Sequence, residues 1–257
     1  MPDSRFREFA DRLRARGRAL GYWVALDSPV STERIARLGY DYVTLDAQHG
    51  LLGYSGLLAG LMAIDAAGGG TVGLVRVAAK DPTHIGKALD AGAGGVIVPL
   101  VDSAADAAAA VTAARYPPAG RRSYGPTRSG LRVGPVPADT DATVVVLAMI
   151  ETPGGLANIE EICATPGLDG VYVGPSDLRL AVGGAHPGDP AVAEVFEAAV
   201  KTIRETAATA GIAAGFHTPD GDQPARRLAE GYTFATVSSD LAHLELAARA
   251  HLEAARR

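Results

Sequence analysis

The chain of 257 residues is 47% hydrophobic and 21% charged, with a formal net charge of −5; that is enough apolar material for one large core and the usual size of a (β/α)8 barrel. The acidic balance, with arginines scattered rather than grouped, argues against a nucleic-acid footprint, and no apolar run approaches the roughly 18 residues a membrane span needs. A single cysteine, Cys163, rules out an internal disulfide and points to a soluble protein in a reducing, cytoplasmic setting. Residues 1–20 are arginine-rich and carry Phe6, Phe9 and Leu13 at helical spacing, which predicts an amphipathic lead-in helix rather than a signal peptide.

Beyond that helix, apolar runs and helical stretches alternate eight times. Strands are expected at 21–26, 41–46, 71–77, 94–100, 143–151, 170–174, 212–216 and 234–237, and this alternation predicts a parallel α/β fold, a (β/α)8 TIM barrel. Asp81-Pro82 reads as an N-cap followed by proline at the first helical position, and Ser103 with Asp106 resembles a capping box. Gly39, Gly92, Gly211 and Gly231 fall where helices should stop. Cys163 sits in an expected helix and reads as an inert core thiol. The longest irregular stretch, 116–142, is of the length that usually serves function or an interface. No linker or composition shift divides the chain, so 1–257 reads as one domain.

In such a barrel the chemistry sits at the C-terminal ends of the strands. Two carboxylates, Glu151 and Asp177, each follow a continuous apolar run that reads as a buried strand. An acid there is costly to desolvate unless something positive meets it, and hard oxygen donors of this kind suit a divalent metal such as Mg²⁺ or Mn²⁺. The bland alternative is that each acid caps a helix or pairs with an arginine. Arg76, inside the run Gly73-Leu74-Val75-Arg76-Val77, must meet an anion or several oxygen acceptors; it could stabilise a carbonyl oxygen becoming negative, or form a structural ion pair, for instance with Glu151. His49 follows Asp46 in Leu45-Asp46-Ala47-Gln48-His49-Gly50 and has the side chain suited to general acid/base work. Gly174-Pro175-Ser176-Asp177 turns tightly after its strand and can offer backbone N–H groups to a small carboxylate. His217 ends the seventh strand, and Trp23 in the first is either core or a pocket wall. The three lysines, Lys80, Lys87 and Lys201, are expected in a loop and in helices, so none projects from a strand to form a Schiff base.

These residues resemble the HpcH/HpaI family of metal-dependent aldolases. The similarity runs from Gly21-Tyr22-Trp23 through Leu45-Asp46-Ala47-Gln48-His49-Gly50, Val75-Arg76, Leu89-Asp90-Ala91-Gly92-Ala93, Arg115-Tyr116-Pro117-Pro118-Ala119-Gly120 and Ile150-Glu151-Thr152 to Val173-Gly174-Pro175-Ser176-Asp177-Leu178. By that resemblance Glu151 and Asp177 are metal ligands, Arg76 stabilises the keto oxygen and enolate, His49 is the general acid/base, and the Ser176 N–H meets the substrate carboxylate. Asp90 matches an acid that reaches a neighbouring subunit's site, so either it or Asp46 orients the histidine. The resemblance implies a (β/α)8 barrel with its last helix exchanged between subunits, in a homo-hexamer built as a trimer of dimers. Met149 and Gln48 depart from the family's glutamine and glutamate, and Phe216-His217 replaces a more aliphatic wall. The expected activity is class II cleavage of a 4-hydroxy-2-oxo acid to pyruvate, or a related 2-oxo acid, and an aldehyde, with Mg²⁺, Mn²⁺ or Co²⁺. The alternatives are a related lyase acting on a CoA ester and a non-catalytic oligomeric barrel.

Overall fold

The computed structural model describes residues 3–257, so Met1 and Pro2 of the expected lead-in helix lie outside the described residues. The rest of that segment forms α1 (Ser4–Arg14). It is followed by β1 (Ala19–Val24), α2 (Pro29–Ala36), β2 (Tyr42–Asp46), α3 (Tyr54–Ala66), β3 (Val72–Arg76), α4 (Pro82–Asp90), β4 (Gly95–Val98) and α5 (Ala104–Ala114). The second half comprises α6 (Pro137–Thr143), β5 (Val145–Ile150), α7 (Pro153–Ala157), α8 (Ile159–Cys163), β6 (Gly170–Val173), α9 (Pro175–Ala181), α10 (Ala193–Thr209), β7 (Ala213–Thr218), α11 (Asp222–Glu230), β8 (Phe234–Ser239) and α12 (Asp240–Ala255). Each strand pairs in parallel with the next, and β8 pairs with β1 to close the barrel. Every residue of β2 to β6 is buried, which is why these strands read as unbroken apolar runs: helices cover one face and the barrel interior the other.

Two apolar clusters follow from the alternation of side chains along the strands. One lies between strands and helices and includes Val43, Val75, Val96 and Val171. The other fills the barrel with Tyr42, Leu74, Ile97, Leu147, Tyr172 and Phe234. Those rings fit because neighbouring strands lack side chains opposite them: a Cβ on Gly21 would fall 2.1 Å from the Tyr42 ring, and one on Gly215 2.2 Å from Phe234. Phe6, Phe9, Ala10 and Leu13 of α1 join this inner cluster, with Phe9 5.8 Å from the Tyr42 ring. The lead-in helix therefore plugs the end of the barrel where the strands begin and leaves the other end for chemistry.

The caps match the sequence. Asp81 accepts from the Thr83 N–H at 2.7 Å, Ser103 caps α5, and Gly231 ends α11 with φ of 111°, a left-handed value that glycine adopts without steric cost. Two differences have physical causes. β1 runs two residues earlier than expected: it begins at Ala19, paired with Phe234 of β8, and stops at Val24 because the Ala25 and Leu26 N–H groups donate to Asp240 at 2.9 and 3.1 Å instead of joining a ladder. The stretch 116–142 is not wholly irregular: it carries a 3-10 turn at Ser129–Leu131 and most of α6, and is tied down by Arg122 on Asp90 and by Arg128 and Arg132 on Asp65. Among the described residues, no helix is long and apolar enough to cross a membrane.

Candidate active site

Register builds the first half of the site. β2 and β3 pair with Asp46 opposite Arg76, in phase with the inward-facing Tyr42 and Leu74, so acid and guanidinium meet at the barrel mouth. Arg76 donates to Asp46 through Nε at 2.9 Å and Nη2 at 2.5 Å. The Asp46 carboxylate also receives Trp23 Nε1 at 3.2 Å and the backbone N–H groups of Gln48 and His49 at 3.0 and 3.2 Å. Burial alone would raise this carboxyl; the hydrogen bonds and charge of Arg76 outweigh it and hold Asp46 below the usual carboxylate range. The ion pair of Arg76 is thus with Asp46 and not with Glu151. Asp46 holds His49 by its backbone, and the exposed imidazole stands at the rim.

The second half comes from β5 and β6. Glu151 directly follows β5 and is 2% exposed. Its Oε1 accepts the Leu100 N–H at 2.9 Å, while Oε2 is buried without a hydrogen-bond partner. Burial pushes its carboxyl above the ordinary value and the charge of Asp177 adds to this, against the opposing Leu100 N–H. Asp177 lies in the first turn of α9 and is exposed. Between them, a Cβ on Gly174 would come 2.5 Å from Glu151 Oε2 and 2.6 Å from Met149, so only a bare α-carbon lets the glutamate stand where it does.

These elements enclose a cavity of about 170 Å³ lined by Trp23, His49, Arg76, Met149, Gly174, Ser176, Asp177 and His217 among others. Trp23 is both core and wall: it is 5% exposed, and the Arg76 guanidinium lies 4.9 Å from its ring centroid. His217 packs edge-on against Trp23 at 5.0 Å and has Nδ1 3.5 Å from the Tyr172 hydroxyl. Burial first, and the Arg76 charge second, push its imidazole down to about 4 against the pull of Asp46, so it is neutral at pH 7. Two expected residues are elsewhere. Phe216 points to the opposite face of β7, as the residue before His217 must, against Tyr232 at 5.2 Å and under the Arg227 guanidinium; it does not line this cavity but, with Pro175, Ser176 and His217, lines an adjoining one of about 550 Å³. Asp90 ends α4, where it accepts from Arg122 at 2.7 Å. Sequence reading missed Leu100, whose contribution is a backbone N–H and has no side-chain signature. Cys163, in α8, is buried and its thiol is pushed up to about 12 by burial, as an inert core thiol requires.

The donor set fits a hard divalent cation. The buried Glu151 oxygen has no hydrogen-bonded cation, and the charge of Arg76 does not outweigh burial and Asp177, so its desolvation is not offset. Among the described residues no group of three or more His, Cys, Asp or Glu gathers as a metal cage; a Mg²⁺-type cation held by one or two carboxylates would take its remaining oxygens from water and substrate.

Comparison with known proteins places the chain in a family. The family model described as HpcH/HpaI aldolase/citrate lyase matches residues 19–247. The chain belongs to this family. A hydroxypyruvate/pyruvate aldolase of Rhizorhabdus wittichii is 43% identical to it over 232 residues, covering 90% of this chain and 91% of that protein. A 5-keto-4-deoxy-D-glucarate aldolase of Klebsiella pneumoniae is 38% identical over 237 residues, 91% of each chain. A solved HpcH/HpaI aldolase/citrate lyase family protein from Burkholderia cenocepacia superposes with a TM-score of 0.88 at 30% identity, covering 98% of this chain and 100% of the other. This HpcH/HpaI member is a carbon–carbon lyase of the aldolase type, and aldolases of the family are typically divalent-metal-dependent.

Proposed function

We propose that residues 1–257 act as one aldolase barrel that reversibly cleaves a 4-hydroxy-2-oxo acid to pyruvate, or a close 2-oxo acid relative, and an aldehyde. The observation that carries this reading is the orphaned Glu151 Oε2 packed against Gly174, at the wall of a cavity that Asp177 and Arg76 line. Glu151 and Asp177 would hold Mg²⁺, Mn²⁺ or Co²⁺, which when bound would polarise the 2-oxo carbonyl.

The protein's own groups divide the remaining work. Asp46 occupies Nε and Nη2 of Arg76, fixing the guanidinium so that its Nη1 donors can meet the oxo oxygen as negative charge develops there. The Ser176 N–H, in the first turn of α9 where helix N–H groups have no intrahelical acceptor, receives the substrate carboxylate. His49 takes the proton from the C4 hydroxyl, directly or through one water. The C3–C4 bond then breaks, its electron pair passes to C3 and the oxo oxygen, the aldehyde leaves, and C3 takes up a proton to give the 2-oxo acid. In synthesis His49 returns the proton. Trp23 and His217 wall the bound acid. Arg76, Trp23 and two backbone N–H groups already occupy the Asp46 carboxylate; by the family resemblance, Asp90 of a neighbouring subunit would orient the exposed His49 ring, in a cytoplasmic homo-oligomer, a hexamer built as a trimer of dimers, that exchanges α12.

Exchange of the pyruvate methyl protons in D₂O tests this without knowledge of the aldehyde. Metal-stripped protein resupplied with Mg²⁺ or Mn²⁺ is expected to catalyse exchange, Glu151→Ala to lose it, and Arg76→Ala to slow it by about 10²-fold or more. No exchange with any divalent metal would sink the pyruvate reading and direct attention to CoA esters.

A further inference from the structure

We propose that Lys80 is a positioning residue for the Glu151 carboxylate, acting through the backbone of Leu100. The proposal rests on the reading of Glu151 as a metal ligand. Leu100, two residues past β4, adopts φ of 54°, a left-handed conformation that side-chain-bearing residues rarely hold without support. Its side chain is 45% exposed, so packing does not impose that shape. Both ends of the residue are instead held by hydrogen bonds: its N–H donates to Glu151 Oε1 at 2.9 Å, and its carbonyl accepts from Lys80 Nζ at 3.0 Å.

The same ammonium donates to Asp102 Oδ2 at 3.2 Å and to Asp106 Oδ2 at 2.9 Å, so its three donors have three acceptors. Asp106 Oδ2 also accepts the Asp102 N–H at 3.1 Å. Asp102 Oδ1 in turn accepts the Thr152 hydroxyl at 2.6 Å, and Thr152 is the residue after Glu151. The contacts close a ring that runs from the Glu151 side chain through Leu100, Lys80, Asp102 and Thr152 back to the Glu151 main chain. An exposed lysine paired with one acid contributes little; a lysine that closes such a ring fixes Oε1 and leaves Oε2 as the oxygen free to ligate. Outer-shell partners of this kind typically change metal affinity or activity 10–100-fold when removed.

The test is the Mn²⁺ dissociation constant of the full chain, read from the magnetic resonance signal of free Mn²⁺, for the wild type, Lys80→Met and Lys80→Arg. Lys80→Met is expected to bind Mn²⁺ about 10-fold more weakly while keeping its circular dichroism, and to regain pyruvate exchange at saturating Mn²⁺. Lys80→Arg, which keeps charge and donors, should restore most of the affinity. Thr152→Val cuts the ring on its other side and should weaken binding likewise. Wild-type affinity in both Lys80→Met and Thr152→Val would overturn the positioning role alone. Failure of the wild type to take up Mn²⁺ would overturn the metal-site reading and this proposal with it.

Discussion

At the scale of the single residue, the proposed metal site would trade stability for binding. Glu151 is buried with one oxygen unpaired, and its carboxyl is raised above the usual range by burial and by Asp177. A folded-state pKa above the unfolded value means that both states are protonated at low pH, where the residue costs nothing. As pH rises from the unfolded value near 4.5 through the folded one, the folded state must accept an uncomfortable charge and metal-free protein loses stability. Glu151→Gln keeps the shape and removes the charge. Metal-free Glu151→Gln should therefore melt a few degrees above wild type at pH 7, roughly 2–4 °C for each kcal/mol recovered at this chain length, and lose that advantage near pH 4. Melting curves in chelator at the two pH values check this, and equal melting temperatures at pH 7 would remove the argument that the orphaned oxygen is costly. The same variant should bind no Mn²⁺.

At the scale of the element, the inner plug and the mouth are separable. Phe9 of α1 is 3% exposed and packs on Tyr42 at the closed end of the barrel, with the inner cluster between it and Arg76. Phe9→Ala should cost about 3–5 kcal/mol of unfolding free energy by leaving a cavity, yet leave the Mn²⁺ affinity of the folded protein unchanged; denaturant melts beside metal titrations show both. Elements of this kind were legible in the sequence because burial on both faces turns each strand into a short apolar run, and because Asp81, Ser103 and Gly231 announce helix ends by their own chemistry. Other features were set by groups distant in sequence. The early end of β1 depends on Asp240, and the Asp46–Arg76 pair depends on register between strands thirty residues apart. The candidate site residues were legible as polar types at strand ends, whereas their contacts were not: the sequence could not tell that Arg76 would take Asp46, or that a leucine backbone would hold a Glu151 oxygen.

At the scale of the whole molecule, α12 is the element the barrel does not account for. Its first turn is anchored, with Asp240 on the Ala25 and Leu26 N–H groups and His243 Nδ1 2.9 Å from the Tyr22 hydroxyl. Apart from those two anchors the helix faces away from the core: Leu241, Leu244 and Leu252 are 44%, 60% and 51% exposed. With Ala248 they recur at three- and four-residue steps and make one apolar stripe, which a helix normally buries. In the proposed assembly a second copy covers the stripe, and the anchored first turn lets the rest reach across without disturbing the barrel. Leu244→Glu with Leu252→Glu should then sediment as a smaller species than wild type at the same micromolar concentration while keeping its thermal transition and its Mn²⁺ affinity, since Glu151 and Asp177 belong to one chain. Turnover separates two versions of the site. If the partner's Asp90 orients His49, the dissociated variant should lose aldol cleavage while its metal binding persists; full cleavage by a dissociated variant would place every catalytic group within one barrel, and a wild type that sediments as a monomer would leave the stripe without its proposed cover.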